Sequence, residues 1–499
     1  MQIEFEKNTL ECLQRVAWET RQEEQTQEIK VPDSMPDIGT VLGAWGQPVL
    51  RSKTWHGSGM TAAGGVMVWI LYIPEEESMP RMVEGWIPYQ VHWDFPQTRR
   101  DGTMVIRTQL QDLDARSVSP RKLMLRGVIS VAGEALEPVK THIYTPPEMP
   151  EDVQILRKSY PVCVPKEAGE KAFLMEEELS LPASCAGADK LMYYGLQPEI
   201  TDQKIMADKI VFRGSVRVHG LCRCGEEKLE TFSLEVPFSQ YAELERPYSD
   251  QADPMLMPEV SNAELELLED GSLHLKAGIV GQYVIVDRPV IELVEDAYSP
   301  TRSITPQWED LQLPAVLEQR QDILPAEQTI EAEAARVIDQ SFYTAHPAQL
   351  RIPEGIQLQQ PARFRVLWQD PEGTVHSDAV DCPLQLELRA APQTQLLPWT
   401  QSGSVVKSSQ TPGQLCLYGE AVVHTLAVAE EKFPMMTALE IGQPVEPDPE
   451  RPSLILRRVG QDSLWQIAKQ YGSTMDAITQ ANALNGEPEP ESILLIPVS

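Results

Sequence analysis

The sequence predicts a mainly β protein: three tandem β-rich units followed by a small β-α-α-β module. Three observations predict it. Forty-one prolines and 29 glycines punctuate the 499 residues throughout, which favours short strands and turns over long helices. Two strand patterns recur three times in the same order, the mark of an internal repeat. Clear helical periodicity comes only after a proline-rich segment near residue 450.

The first pattern is a hairpin. It runs Gly64 to Tyr72, turns through Pro74-Glu75-Glu76-Glu77, and returns to Trp86-Ile87-Pro88-Tyr89. It recurs from Gly214 through Gly225-Glu226-Glu227 to Val236-Pro237-Phe238, and again from Ala362 through Asp370-Pro371-Glu372-Gly373 to Cys382-Pro383-Leu384. The second pattern is an apolar strand at Leu123–Val131, Leu273–Val280 and Leu415–Val423. Asp270-Gly271 before its second copy is a tight-turn signal. These repeats divide the chain at 1–165, 166–300 and 301–445, and a period this long predicts independent domains in an array. The third unit departs most: Glu331 to Ile338 fits a short helix or a strand. Four prolines between Gln443 and Pro452 predict an extended linker over 446–452 that holds the tail off its neighbours.

Composition narrows the function. A net charge of −32 repels phosphate backbones and anionic membranes, so nucleic acid is not an expected partner, while a basic protein would associate quickly. Seven scattered cysteines do not form a disulfide framework. The start, Met1-Gln2-Ile3-Glu4-Phe5-Glu6-Lys7, lacks the basic and apolar regions of a secretory signal. The longest apolar stretch, Val66 to Ile73, is far short of the ~20 residues of a membrane span. The expected location is the reducing cytoplasm.

The tail, 453–499, reads residue by residue. Leu454 to Val459 alternates as a strand. Asp462 or Ser463 caps a helix whose Leu464, Ile467, Ala468 and Tyr471 share one face, and Gly472 ends it. Ser473 or Thr474 starts a second helix through Met475, Ala477, Ile478 and Ala481. Asn482 and Asn485-Gly486 close it, and Ser492 to Pro497 is the last strand. Gly460-x-Asp462-Ser463-Leu464-Trp465-x-Ile467-Ala468, Tyr471-Gly472-Ser473-Thr474, Ile478, Asn482, Leu484 and Ile493-x-Leu495-Ile496-Pro497 together resemble the LysM family. The resemblance implies a shallow groove between two loops that takes N-acetylglucosamine-containing glycans. Its sides would be Gly460, Gln461, Asp462, Ser463 and Leu464, and Ile478, Asn482, Leu484 and Asn485. Where the family has a Pro-Gly-Gln-type turn, this chain has Glu487-Pro488-Glu489-Pro490-Glu491-Ser492. Three carboxylates there suit a basic protein surface, or form a solvated loop.

At the front, Ile29 to Leu42 contains Pro32-Asp33-Ser34-Met35-Pro36-Asp37-Ile38. Its prolines favour extended backbone and its aspartates can close Asx-turns; a rigid turn between strands outweighs a two-aspartate metal site. This motif resembles the SPOCS family of spore-coat assembly domains. That resemblance implies a non-enzymatic scaffold in the mother-cell cytoplasm of an endospore-former. Such a scaffold docks on the coat's basement-layer ATPase or another morphogenetic protein and is recruited to the forespore surface. The alternative is a peptidoglycan- or cortex-binding adaptor that uses the same groove.

Catalytic chemistry is not expected. Cys222-Arg223-Cys224 beside His219 does not match zinc-ligand spacing. Gly57-Ser58-Gly59 lacks the context of a nucleophile elbow, and Gly64-Gly65 is not a phosphate loop. His56 and His92 among Trp55, Trp69, Trp86 and Trp93 form either a sugar platform or a packed sheet face, the latter being commoner. Glu176-Glu177-Glu178 reads as a solvated charge run. No metal and no cofactor are predicted.

Overall fold

The computed structural model describes residues 1–499 except 96–101, 226–227, 250, 403–405, 446–451 and 499, and except the side chains of 401 and 402. After a short strand β1 (Gln2–Glu4), the first unit contains β2 (Glu6–Lys30), β3 (Ile38–His56), β4 (Gly59–Pro74), β5 (Arg81–Asp94), β6 (Thr103–Ser119) and β7 (Lys122–Thr145). β3, β4 and β5 form one antiparallel sheet. β2 and β6 flank β7 in a second. Their inner faces carry the alternating apolar residues, so Val66, Ile70, Ile87, Trp93, Ile106, Leu125 and Ile129 close between them as a two-layer core.

The second unit repeats this pairing with β8 (Gln154–Pro161), β9 (Val164–Ser180), β10 (Ala188–Met206), β11 (Lys209–Cys224), β12 (Leu229–Glu243), β13 (Asp253–Leu267), β14 (Ser272–Asp287) and β15 (Val290–Tyr298). β10-β11-β12 is one sheet and β13-β14-β9 the other. The β8–β15 ribbon extends the β9–β14 ladder.

The third unit has β16 (Arg302–Glu331), β17 (Arg336–Thr344), β18 (Ala348–Ile352), β19 (Gly355–Gln360), β20 (Ala362–Gln369), β21 (Val375–Asp381), β22 (Leu384–Arg389), β23 (Gln395–Ser402), β24 (Lys407–Thr411) and β25 (Gln414–Pro444). β17-β20-β21 stands opposite β16-β25 with β23 and β24. An added sheet, β18-β19-β22, distinguishes this copy. Glu331 ends β16 and Ile338 lies in β17, with 332–335 connecting them, so neither a single helix nor a single strand spans that stretch.

In every unit the first strand therefore pairs with the last. The closing prolines Pro88 and Pro237 lie on β5 and β12, each at the edge of its sheet, where a missing N–H costs no ladder bond.

The units do not hang as separate beads. Their first-and-last-strand ribbons converge, and Cys12, Val162, Ile291, Leu293, Leu311, Leu313 and Met435 form one core drawn from all three. Val105, Leu136, Met255, Met257, Val284, Leu397 and Leu426 form another. The register makes the equivalence plain: Arg107 faces Ala132, Met257 faces Gln282, and Trp399 faces His424. Burying this much apolar surface between units outweighs what a linear array would leave exposed. β1 pairs with β25 and joins the front of the chain to the end of the third unit.

Candidate functional site

The C-terminal module is built from β26 (Leu454–Arg458), α1 (Leu464–Gln470), α2 (Met475–Asn482) and β27 (Ile493–Pro497), with the two strands antiparallel. Of the proline-rich segment 446–452, residues 446–451 lie outside the described residues. Ser463 caps α1 through a capping box: its Oγ accepts from the Gln466 N–H at 3.3 Å, and Gln466 Oε1 accepts from the Ser463 N–H at 2.9 Å. Thr474 Oγ1 caps α2 by accepting from the Ala477 N–H at 3.1 Å. Gly472 takes φ +55, the left-handed conformation glycine adopts cheaply after a helix. Ile467, Ala468, Ile478 and Ile496 are the fully buried centre.

The predicted groove residues separate into two kinds. Gly460, Gln461 and Asn485 are exposed at the tips of the two loops. Leu464 and Ile478 are buried in the module core at 6% and 0% exposure. Leu484 is half-buried against that core. Asn482 is a staple: its amide donates to Ile478 O at 2.8 Å and Leu495 O at 2.7 Å, and accepts from the Leu495 N–H at 2.8 Å. The Asp462 carboxylate pairs with Arg457. The loops are tied together by Val459 N–H to Ser492 O and Glu491 N–H to Val459 O. Glu487 spans them as well, its Oε2 accepting from the Leu464 N–H at 2.8 Å. That amide is one of the unpaired donors at the start of α1, and a carboxylate there also answers the helix dipole. Glu489 and Glu491 lie exposed beside it.

The opposite side of the module is not free. Trp465 Nε1 donates to Asp296 Oδ2 at 2.8 Å, and Lys469 Nζ reaches both Asp296 oxygens at 2.7 Å. Tyr298 meets the Trp465 ring edge-on at 4.8 Å and donates to Ser473 O at 2.8 Å. Burial, with Asp296 nearby, pushes the Tyr298 hydroxyl up to about 12, so it stays a donor. The module thus sits on the β8–β15 ribbon, contrary to the expectation that the linker keeps it apart. Apolar contact with Leu156 and Tyr298 and the Asp296 clamp supply what linker composition does not disclose.

The other residues singled out in the sequence fall elsewhere. Arg121 holds the Pro32–Asp37 turn, donating to Met35 O at 2.6 Å, Pro32 O at 2.8 Å and Asp37 Oδ1 at 2.9 Å. A guanidinium thus occupies the space beside the two aspartates. His219 Nε2 bonds Asp339 Oδ1 at 2.9 Å across the boundary of the second and third units. Trp69 and Trp93 are buried, Trp55 half-buried and Trp86 partly exposed. His56 and His92 share Thr61. Among the described residues no group of three or more His, Cys, Asp or Glu is placed to hold a metal, and no helix is long and apolar enough to cross a membrane.

The LysM domain family model matches residues 461–497, and a LysM domain suggests glycan or peptidoglycan binding. No curated protein and no solved structure matches the chain.

Proposed function

We propose that this chain is a non-enzymatic scaffold in which the LysM loops and the β units present protein-binding surfaces. Its setting would be endospore coat assembly, in the mother cell at the forespore surface, with a basement-layer ATPase or other coat morphogenetic protein as partner. The Pro-Asp motif of the first unit and the order of β units followed by one C-terminal LysM support that setting. Both resemble the SPOCS family and the coat-morphogenesis protein SipL. The observation that carries the protein-binding reading is Glu487. It already holds the Leu464 N–H between the two loops, Glu489 follows it exposed in the same loop, and Glu491 holds Arg458 at 2.9 Å. A neutral sugar needs hydrogen-bond donors and apolar ring contacts there, whereas a basic protein surface is drawn to carboxylates.

A second reading, a peptidoglycan or cortex glycan adaptor, is favoured by the family match over 461–497. One experiment separates the two. The full chain is titrated with chitin and peptidoglycan oligomers and, in parallel, used to retrieve coat proteins from sporulating cells. The groove variant is Gly460→Phe: an added Cβ there meets nothing closer than Asp462 Oδ2 at 3.9 Å, so it fills the mouth without disturbing the core. Loss of coat-protein retrieval in Gly460→Phe, with no saturable glycan binding by the parent, supports the scaffold. Saturable glycan binding abolished by Gly460→Phe supports the adaptor and sinks the scaffold reading.

A further inference from the structure

Leu456 and Ile493, 71% and 69% exposed, are among the most open large apolar side chains of the described residues, and Leu454 beside them is 50% exposed. All three lie on the outer face of the β26–β27 sheet. Side chains alternate along a strand, and the register sets Leu454 opposite Pro497, Leu456 opposite Leu495 and Arg458 opposite Ile493. Ile455, Leu494 and Ile496 turn inward and join the module core. Docking on the β8–β15 ribbon uses Trp465 and Lys469 of α1 and leaves the outer face open.

The same register says where the backbone points. Val459 N–H to Ser492 O at 2.8 Å and Val498 N–H to Ser453 O at 3.0 Å identify hydrogen-bonded pairs of the two strands. Bonded and non-bonded pairs alternate in an antiparallel ladder. Ser453, Ile455, Arg457 and Val459 therefore bond across to β27. The N–H and C=O of Leu454, Leu456 and Arg458 point the other way, out of the sheet.

A two-stranded sheet has two such edges, and the module treats them differently. On β27, Asn482 accepts from the Leu495 N–H at 2.8 Å and donates to its carbonyl at 2.7 Å, and Pro497 has no N–H to offer. On β26, no hydrogen bond among the described residues reaches the backbone of Leu454, Leu456 or Arg458. Folded proteins usually guard an apolar edge; here one edge is guarded and the other is not.

The open edge specifies its occupant. Outward N–H and C=O groups at every second residue are the complement of an extended strand. Beside Leu454, Leu456 and Arg458, that strand would place two apolar residues and an acidic one, since opposite charges stabilise cross-strand pairs. Arg457 and Arg458 are adjacent cations in a chain of net charge −32. Glu491 meets Arg458 at 2.9 Å, but both side chains are more than 70% exposed; such a pair contributes little and can be exchanged. A second copy would bring two more arginines on its own β26 and no carboxylate, so charge opposes self-pairing.

We propose that the outer edge of β26 takes up an extended segment of a partner protein as a third strand, with apolar residues in alternate positions and an acidic residue beside Arg458. This rests on the scaffold reading and gives it a second contact surface, separate from the loops.

The test is fluorescence anisotropy of fluorescein-labelled Glu-Thr-Val-Thr-Val-Thr-Glu-amide, titrated with the full chain to millimolar concentration in about 0.15 M salt to screen the overall charge. The peptide is symmetric, so a glutamate meets Arg458 in either strand direction. Saturable binding is expected. Leu456→Pro should weaken it about tenfold, because it removes an outward N–H and no bond of the β26–β27 ladder; an unchanged unfolding midpoint shows that the variant is folded. If Leu456→Pro fails to fold, Arg458→Glu takes its place: it should weaken this peptide and strengthen the analogue with lysine at both ends. No saturable binding overturns the proposal, and so does unaltered affinity in a folded variant. A doubling of mass in sedimentation that Leu456→Pro abolishes also overturns it, by assigning the edge to a second copy. If the peptide fails to bind while Gly460→Phe still loses the coat protein, the strand site falls and the scaffold reading stands. Failure of the scaffold reading shows instead in the glycan titration.

Discussion

At the scale of single residues, the module's last strand hangs on Asn482. Two of its amide's three hydrogen bonds join α2 to Leu495 of β27, the third returning to Ile478 O within α2, and replacing it with alanine strands the backbone of Leu495. Asn482→Ala should destabilise the module by about 1–3 kcal/mol, read as an earlier loss of Trp465 fluorescence change on heating. Leu464 and Ile478 should behave as core positions: Ile478→Ala should cost about 2–5 kcal/mol, so a charged residue there would report unfolding and not docking. The caps were legible in the sequence, because a hydroxyl three residues before a backbone amide is a local geometric rule. Glu487 as a bridge was not, because its partner, the Leu464 amide, is fixed only when the two loops fold together. Nor was Arg107, although a lone arginine after Met104-Val105-Ile106 signals a buried charge. Its companions, Glu134 Oε2 at 3.7 Å and the rings of Trp18 and Trp399 at 5.1 and 4.6 Å, come from distant strands and another unit.

Among elements, hairpin strands and helices follow from periodicity and turn residues. Accordingly β4–β5, β11–β12 and β20–β21 lie where the repeated pattern places them. What periodicity cannot carry is the partner of an element. The docking of α1 on the β8–β15 ribbon depends on Asp296, an ordinary aspartate in a run of strand residues. Asp296→Ala should release that face. Hydrogen exchange of α1 amides in the full chain should then rise while exchange in β9–β14 stays unchanged; equal protection in both proteins would show that the clamp contributes nothing. In the third unit, Phe364 is fully buried and packs on Phe342 at 4.6 Å. Phe364→Ala should cost about 3–5 kcal/mol in chemical denaturation.

For the whole molecule, buried titratable groups where the units meet set a pH profile. Burial holds the His346 imidazole down at about 4. The unfolded chain, with histidine near ~6.5, takes up that proton first, so His346 costs stability as pH falls from about 6.5 to 4. Glu259 runs the other way. Burial raises it to about 8, so the folded chain keeps a proton the unfolded chain has released, and stability drops as pH rises toward 8. Burial alone would lower His219, but the Asp339 carboxylate more than offsets it and leaves the pKa raised. That contribution too is present in acid and is lost as pH rises through the folded value. The unfolding midpoint should therefore be highest between about pH 5 and 6.5 and lower at pH 8, and a midpoint that climbs steadily to pH 8 would contradict these assignments. His346→Leu should flatten the acid side.

The mainly β class with a small helical tail was readable because alternation and proline punctuation are properties of each segment. The convergence of three units on shared cores was not. A residue such as Leu313 or Ile291 looks the same facing its own sheet or a neighbour's.

Pairing first strand with last has a consequence for synthesis. β2 is complete at Lys30, yet its partner β7 ends at Thr145. At translation rates of ~5–20 residues per second, the nascent strand waits roughly 6–25 s for its mate. An apolar strand left open that long would recruit a neighbouring chain on the same polysome. Its later half instead reads Arg21-Gln22-Glu23-Glu24-Gln25-Thr26-Gln27-Glu28, and the waiting strands of the later units carry Glu176-Glu177-Glu178 and Glu318-Gln319-Arg320-Gln321-Asp322. The charges on these opening strands guard each half-made unit until the ribosome delivers its closing strand.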